Sequence, residues 1–182
     1  MLTAIINARC GSSRLKYKHF RKIGDRSIIE IILDNLKKNK YIKDIYLATG
    51  PYSLNKEFKI KLKKKYKKLK FYFHNNEDKV TERIYYLTKK VKTKYTLLIS
   101  GDCVLVDNSF IERLYKKLIL NEKYDFIKTN KKVQHEGIKL FKTNAWKDVN
   151  SRSKSKIFQE NPGYIIKKKS KLFKIIKLDP MP

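Results

Sequence analysis

Two short stretches of the chain hold residues whose types and spacing suit phosphate chemistry. The first is Asn7-Ala8-Arg9-Cys10-Gly11-Ser12-Ser13-Arg14-Leu15-Lys16-Tyr17-Lys18. A Gly followed by two Ser lets a ligand approach the backbone closely and offers amide and hydroxyl donors. Arg9, Arg14 and Lys18 add positive charge that neutralises phosphate oxygens. The GxxxxGK[ST] spacing of a P-loop is absent. The second stretch is Leu98-Ile99-Ser100-Gly101-Asp102-Cys103-Val104-Leu105-Val106-Asp107. An Asp that leaves an apolar strand after a Gly is a hard oxygen donor, suited to Mg²⁺ bridging phosphate oxygens. The alternatives are a Gly/Ser turn with ordinary surface cations in the first stretch, and a turn or helix-capping role for Asp102 in the second. Asp107 with Asn108 reads as the cap of the next helix, and Cys103 as a small packed residue.

Such residues need a frame that brings strand ends together. Short apolar runs at 2–7, 44–49, 69–74, 95–100 and 124–128 are rich in Ile, Leu, Tyr and Phe, as strands covered on both faces are. Between them lie helical patterns. Ile28, Ile31, Ile32 and Leu36 recur near the 3.6-residue period, and Ser27 with Glu30 forms a capping-box signature. Phe58, Leu62 and Tyr66 predict an amphipathic helix over 54–68. Ile84, Leu87 and Val91 predict one over 81–91, and Ile111, Leu114 and Leu118 one over 109–120. This alternation predicts an α/β domain with helices around a mainly parallel sheet, in which the crevice lies at the carboxyl ends of the strands. From Val133 onward the pattern is weaker. It suggests a strand at 137–141, a short helix at 144–149, a polar loop at 151–156 and apolar pieces at 164–166 and 172–178.

The chain has 182 residues, which suits one domain spanning 1–182 with a core of its own. No apolar run approaches the roughly 20 residues of a membrane-spanning helix. The apolar start lacks the basic leader and cleavage site of a signal peptide. Cys10 and Cys103 cannot build a disulfide framework, so a cytoplasmic setting is the expectation. With 45 Lys and Arg against 17 Asp and Glu the formal charge is +28, which invites polyanions. The excess is mostly Lys and is spread along the whole length, a pattern that drift toward A/T-rich codons also produces. A specific nucleic-acid groove is therefore not expected, while attraction for phosphate-bearing ligands holds on either reading.

The opening from Ala4 to Leu15, with Lys18 and Ile23-Gly24, resembles the cytidylyltransferase family, which includes the acylneuraminate and 3-deoxy-manno-octulosonate enzymes. It is most similar to the spore-coat polysaccharide branch, whose opening also runs Ala-Arg-x-Gly-Ser-Ser-Arg-Leu. Ile45-Tyr46-Leu47-Ala48-Thr49 resembles the family's second strand. The run from Asn75 to Tyr85 resembles its acidic segment entering a helix, with Lys79 in place of a usual acid. Gly101 to Asp107 is similar to the family's Gly-Asp-Cys-Pro-Leu-Ile-Asp, with Val104 where Pro is usual. Glu136-Gly137 fits the start of a segment that helps bind the sugar, although Lys139 replaces the acid that follows.

The resemblance implies a three-layer Rossmann-like fold of the nucleotide-diphospho-sugar transferase type, transferring CMP from CTP to an acidic sugar with release of pyrophosphate. It implies that Arg9, Gly11, Ser12, Ser13, Arg14, Lys18 and Arg83 hold the nucleotide, with Arg14 and Lys18 catalytic. Asp102 would bind Mg²⁺, and Glu136 and Gly137 would touch the sugar. A solvated helical turn remains the alternative for Glu82 and Arg83, and a solvated loop residue for His135. The resemblance fades after about residue 145, and relatives continue past this chain's end to a further metal-binding Asp. On that reading the chain is truncated or divergent, with one of two metal carboxylates missing. Members commonly pair through their C-terminal portions, which leaves a homodimer open. Two rival readings are a nucleotide-sugar-dependent glycosyltransferase on a related sheet and a catalytically inactive binding homologue.

Overall fold

The strands predicted from apolar runs assemble into one sheet with helices on both faces. The structure, a computed structural model, describes residues 1–11, 15–129 and 138–178. From the N-terminus come β1 (Leu2–Asn7), a 3-10 turn at Lys18–Phe20, a hairpin of β2 (Lys22–Ile23) and β3 (Arg26–Ser27), and α1 (Ile28–Lys37). They are followed by β4 (Ile42–Thr49), α2 (Tyr52–Leu62), β5 (Lys70–Phe73), α3 (Val80–Thr88), β6 (Tyr95–Ser100) and α4 (Asn108–Ile119). The remainder holds β7 (Phe126–Thr129), β8 (Ile138–Lys142), α5 (Trp146–Arg152), α6 (Lys156–Glu160), α7 (Tyr164–Lys168) and β9 (Ile175–Leu178).

Seven strands lie in the order β5-β4-β1-β6-β8-β7-β9. β1 pairs in parallel with both β4 and β6, while β8 runs antiparallel to β6 and β7. The chain steps outward from β1 to β4 and β5, then crosses back to β6 on the other side of β1, which makes the carboxyl ends of β1 and β6 a topological switch point.

The two-residue alternation of β1 divides the core. Leu2, Ala4 and Ile6 face a cluster built with Ile29, Ile32, Leu33 and Leu36 of α1, Phe58 of α2, and Phe110, Ile111 and Leu114 of α4. Ile5 faces the other side, with Ile84 and Leu87 of α3, Trp146 and Val149 of α5, and Ile165 and Ile166 of α7. The fold is thus three-layered and α/β, as expected.

Local signals set the helix ends. Ser27 N and Oγ both donate to Glu30 Oε2, at 2.9 and 2.7 Å, making the expected N-terminal box of α1. Asp107 caps α4 by accepting from Ser109 N at 2.8 Å. Several boundaries differ from the periodic reading. α2 ends at Leu62 rather than at 68; beyond it Tyr66 N still donates to the Leu62 carbonyl at 2.8 Å, and the Tyr66 hydroxyl reaches Asp34 Oδ1 at 3.0 Å. α3 ends at Thr88, where the Thr88 hydroxyl bonds the Tyr85 carbonyl at 2.6 Å and competes with the helical ladder. In the C-terminal part, Ser151 and Arg152 complete α5 instead of forming a loop. The apolar piece around Tyr164 is a helix that buries Ile165 and Ile166.

Trp146 anchors the second core. It is fully buried, its ring lies 4.3 Å from that of Phe141, and Nε1 donates to Thr96 Oγ1 at 3.0 Å. Trp146→Ala should cost about 3–5 kcal/mol in urea unfolding, through lost burial and a cavity. A second expectation concerns acid stability. The hydrogen bond from Lys65 Nζ, at 2.8 Å, is the main cause that holds the Glu30 carboxyl at about 2, below its ordinary 4.5. A depressed carboxyl contributes stability above its unfolded value and loses it as pH falls through the folded one. Glu30→Gln should therefore flatten the stability profile between pH 4.5 and about 2, read by thermal melts across that window.

Candidate active site

β1 and β6 end side by side, with Asn7 opposite Ser100. The turns that follow them are therefore neighbours, and the amide of Gly101 donates to the Asn7 carbonyl at 2.8 Å. Gly101 is required by space. A Cβ there would lie 2.7 Å from Ala8 Cβ, 3.0 Å from the Asn7 carbonyl oxygen and 3.0 Å from His19 Cε1. This close approach brings the Asp102 carboxylate against the excursion that leaves β1.

That excursion is closed at its base by Tyr17 N donating to the Cys10 carbonyl at 3.1 Å, with Tyr17 in the left-handed region at φ 55°. The 3-10 turn that follows aims Lys18 back, so that its Nζ donates to Asp102 Oδ2 at 2.5 Å. Ser100 Oγ donates to the other Asp102 oxygen. Burial alone would raise the Asp102 carboxyl, but the hydrogen bonds from Lys18 and Ser100 outweigh it and hold it at about 2. Asp102 is thus an anion at any working pH. His19, one residue on, is buried and bonds the Gly101 carbonyl through Nδ1 at 2.8 Å. Burial lowers its proton affinity more than the carbonyl of Gly101 raises it, which favours the neutral ring. It pins the two turns together.

Across the crevice, Arg9 Nη1 donates to Asp78 Oδ1 at 3.0 Å. Arg83 is placed deeper than a solvated helical residue would be, at 1% exposure. Its Nη1 donates to Asn7 Oδ1 at 3.0 Å, and Nη2 to the carbonyls of Asn76 and Glu77 at 3.3 and 2.6 Å. Burial pulls the guanidinium down to about 10, which still leaves it charged. The Arg83 head is therefore already engaged in fixing the end of β1 and the loop before α3. Glu82, by contrast, points to His74 and Lys79, at 3.5 and 3.4 Å.

The crevice has a volume of about 290 Å³ and includes Arg9, Lys18, Arg83 and Ser100 in its lining, closed on one side by Glu160 and Asn161. These last two come from the end of α6, a segment tied to α3 by Thr81 Oγ1 donating to the Phe158 carbonyl at 2.7 Å and Glu82 N donating to Gln159 Oε1 at 3.1 Å. Nothing in their local sequence marks Glu160 and Asn161, since only chain folding brings them here. His19 carried a usable signal, its position next to Lys18. A larger cavity of about 570 Å³ opens at the other end of β6, lined in part by Lys89, Lys94, Lys142 and Lys147. Two of its lysines face Glu122 and Asp125, and no carboxylate lines it, so the smaller crevice is the better chemical candidate.

Of the residues expected at the site, Arg9, Gly11, Lys18, Arg83 and Asp102 are described, while Ser12, Ser13, Arg14, His135, Glu136 and Gly137 lie outside the described residues. Neither cysteine is set up as a thiolate. Burial is the main cause that pushes the Cys10 thiol up to about 11, and it raises that of Cys103 as well. Among the described residues no group of three or more His, Cys, Asp and Glu side chains could hold a metal by itself. A single ionised, half-exposed carboxylate still fits Mg²⁺, which commonly takes one or two carboxylates plus substrate phosphates and keeps several waters. Such an ion would arrive with a triphosphate rather than reside in a closed protein cage.

A mainly parallel sheet with a cationic turn after its first strand and an acidic turn beside it defines a nucleotide-binding α/β protein of the nucleotidyltransferase type. The chain belongs to the cytidylyltransferase family, whose sequence pattern matches residues 3–180 and so runs past the point near 145 where the motif resemblance fades. An uncharacterised protein of Methanocaldococcus jannaschii is 30% identical over 179 residues, which span 98% of this chain and 72% of the relative. A cytidylyltransferase from Leptospira borgpetersenii serovar Hardjo-bovis is similar with a TM-score of 0.88 at 18% identity, covering 98% of this chain and 76% of that one. CMP:2-keto-3-deoxy-manno-octonic acid synthetase, solved in complex with CTP, gives 0.75 at 12% identity, covering 98% and 90%. At these identities the two structures speak for the fold. No helix among the described residues is long and apolar enough to cross a membrane.

Gly101→Ala should lower the melting temperature and disturb the Lys18–Asp102 pair, since the added methyl meets backbone and two packed side chains. A shift of about 4 °C or more in a thermal scan is expected for a loss above roughly 2 kcal/mol. An unchanged melt would contradict the packing described.

Proposed function

We propose that this protein transfers CMP from CTP to an acidic sugar, releasing pyrophosphate, in a soluble step of surface polysaccharide synthesis in the cytoplasm. The observation that supports it most is the meeting of Lys18 and Asp102 at 2.5 Å, where the turn after β1 faces the turn after β6. A cation and a hard anion held face to face at the mouth of the sheet suit a magnesium triphosphate. Lys18 would turn to phosphate oxygens, and Asp102 would hold the ion.

The reaction requires a sugar hydroxyl to attack the α-phosphorus of CTP while the bond to the pyrophosphate oxygen breaks. The hydroxyl loses its proton to solvent or to a phosphate oxygen, and no side chain is assigned as base. Arg9, Lys18 and Arg14, together with the amides at Gly11, Ser12 and Ser13, would hold the phosphates and offset the charge that builds on the leaving group. Arg83 would act from beneath, through Asn7 and the loop at Asn76 and Glu77. Asp102 would hold Mg²⁺, whose chemistry is to neutralise charge on the phosphate oxygens. Glu136 and Gly137 would bind the sugar. Positioning and electrostatic stabilisation account for most of the rate in this scheme.

Radiolabelled CTP with a panel of sugar acids should yield a CMP-sugar and pyrophosphate. Arg14→Ala and Asp102→Ala should each cut pyrophosphate release by at least about 10²-fold while the circular dichroism spectrum stays that of the wild type. Turnover like the wild type in either variant would refute its assigned role. Transfer from a nucleotide-sugar, with no pyrophosphate formed from CTP, would favour a glycosyltransferase instead.

A further inference from the structure

The turn after β1 is also held from a side that its own sequence does not reveal. Asn55, in the first turn of α2, is fully buried. Its Oδ1 accepts from the Cys10 amide at 2.8 Å. Its Nδ2 donates to Glu77 Oε2 at 2.9 Å and to the Pro51 carbonyl at 3.1 Å. The orientation of the amide is forced, because Cys10 N–H can only donate and the other two partners can only accept.

Glu77 enters from the loop between β5 and α3. Its carbonyl accepts from Arg83 Nη2 at 2.6 Å. Its carboxylate lies across Gly50, where an added Cβ would fall 1.7 Å from Oε2 and 3.1 Å from the Glu77 Cα. Only a glycine after β4 lets Glu77 in. The other carboxylate oxygen is the nearest atom to the open side of Gly11, 3.7 Å from where a Cβ would stand. One buried amide thus joins the turns that follow three adjacent strands, β5, β4 and β1.

An anion beside a phosphate-binding turn repels the ligand, so its presence calls for a compensating role. We propose that Asn55 and Glu77 are a positioning pair that fixes the Cys10–Gly11 end of the turn before a nucleotide arrives, so that its amides need no rearrangement on binding. This assignment rests on the reading of the turn as the triphosphate site.

Titration calorimetry with CTP and with pyrophosphate, in magnesium buffer and well below the melting temperature of each variant, tests both levels. Asn55→Ala keeps the charge of the cluster but leaves the Cys10 amide without its acceptor. It should weaken both ligands by about 10-fold or more. Asn55→Asp combined with Glu77→Gln keeps the acceptor for the Cys10 amide and the net charge, reverses donor and acceptor across the pair, and turns a carboxylate oxygen toward the Pro51 carbonyl. It should bind both ligands at least about 3-fold tighter than Asn55→Ala. The pair is overturned if folded Asn55→Ala binds pyrophosphate as the wild type does, or if the double variant binds no tighter than Asn55→Ala. Should Asn55→Ala fail to fold, the double variant decides: binding of pyrophosphate within about 10-fold of the wild type supports the pair, and a larger loss overturns it. A wild-type protein that binds neither CTP nor pyrophosphate would instead sink the triphosphate reading itself.

Discussion

The parallel pairing of β1 with β6, in the register that sets Asn7 opposite Ser100, is the constraint on which the crevice depends. It places the Gly101 amide on the Asn7 carbonyl and leaves no room at Gly101 for a side chain. Because strands pair at fixed spacing, the turns beyond them have to meet. A shift of one residue would turn Ile6 and Ile99 out of the core, so burial of the first apolar cluster enforces the register that the polar groups require. The same residues that stabilise the domain thereby aim Lys18 at Asp102.

The electrostatics of the crevice differ from those of the whole chain. A formal charge of +28 would suggest a bare cationic mouth, yet Arg9 faces Asp78, Lys18 faces Asp102, and Arg83 is bound to Asn7 and two carbonyls. The first two pairs are substantially open to solvent. Pairs of that kind are worth about 0–1 kcal/mol, so an incoming polyphosphate can exchange for the carboxylates at small cost. Arg83 is different. It is 1% exposed, and its Nη atoms are bound to Asn7 Oδ1 and to the Asn76 and Glu77 carbonyls while its buried Nε has no hydrogen-bond partner among the described residues, so its bonds fix the floor of the site. Within one short stretch of surface, some cations are exchangeable and one is structural, and burial makes the difference.

Motifs at strand ends were legible because their chemistry is local. The Gly-Ser-Ser turn, the cations around it and the Gly-Asp after the fourth apolar run can be read without knowing which strands are neighbours. Contributions from other elements were not legible. Asn55 looks like an ordinary polar position on a Lys-rich helix, and Glu77 like one acid in an acidic loop. Both matter because α2 and the β5–α3 loop converge on Cys10. Glu160 and Asn161 reach the crevice only because α6 docks on α3. Arg83 was marked by its motif, but nothing in the motif shows that it is buried.

The sequence by itself determined the α/β class with a mainly parallel sheet, the order of strands and helices in its first two-thirds apart from the β2–β3 hairpin, and the phosphate-suited residues of the first turn. Those properties follow from hydrophobic period and residue chemistry, which act over a few positions. Tertiary structure decided where β8 inserts, between β6 and β7 and running against them. It also decided which cations are already paired and which distant side chains brace the turn. Such contacts link residues tens of positions apart and depend on strand order and burial, which no local pattern encodes.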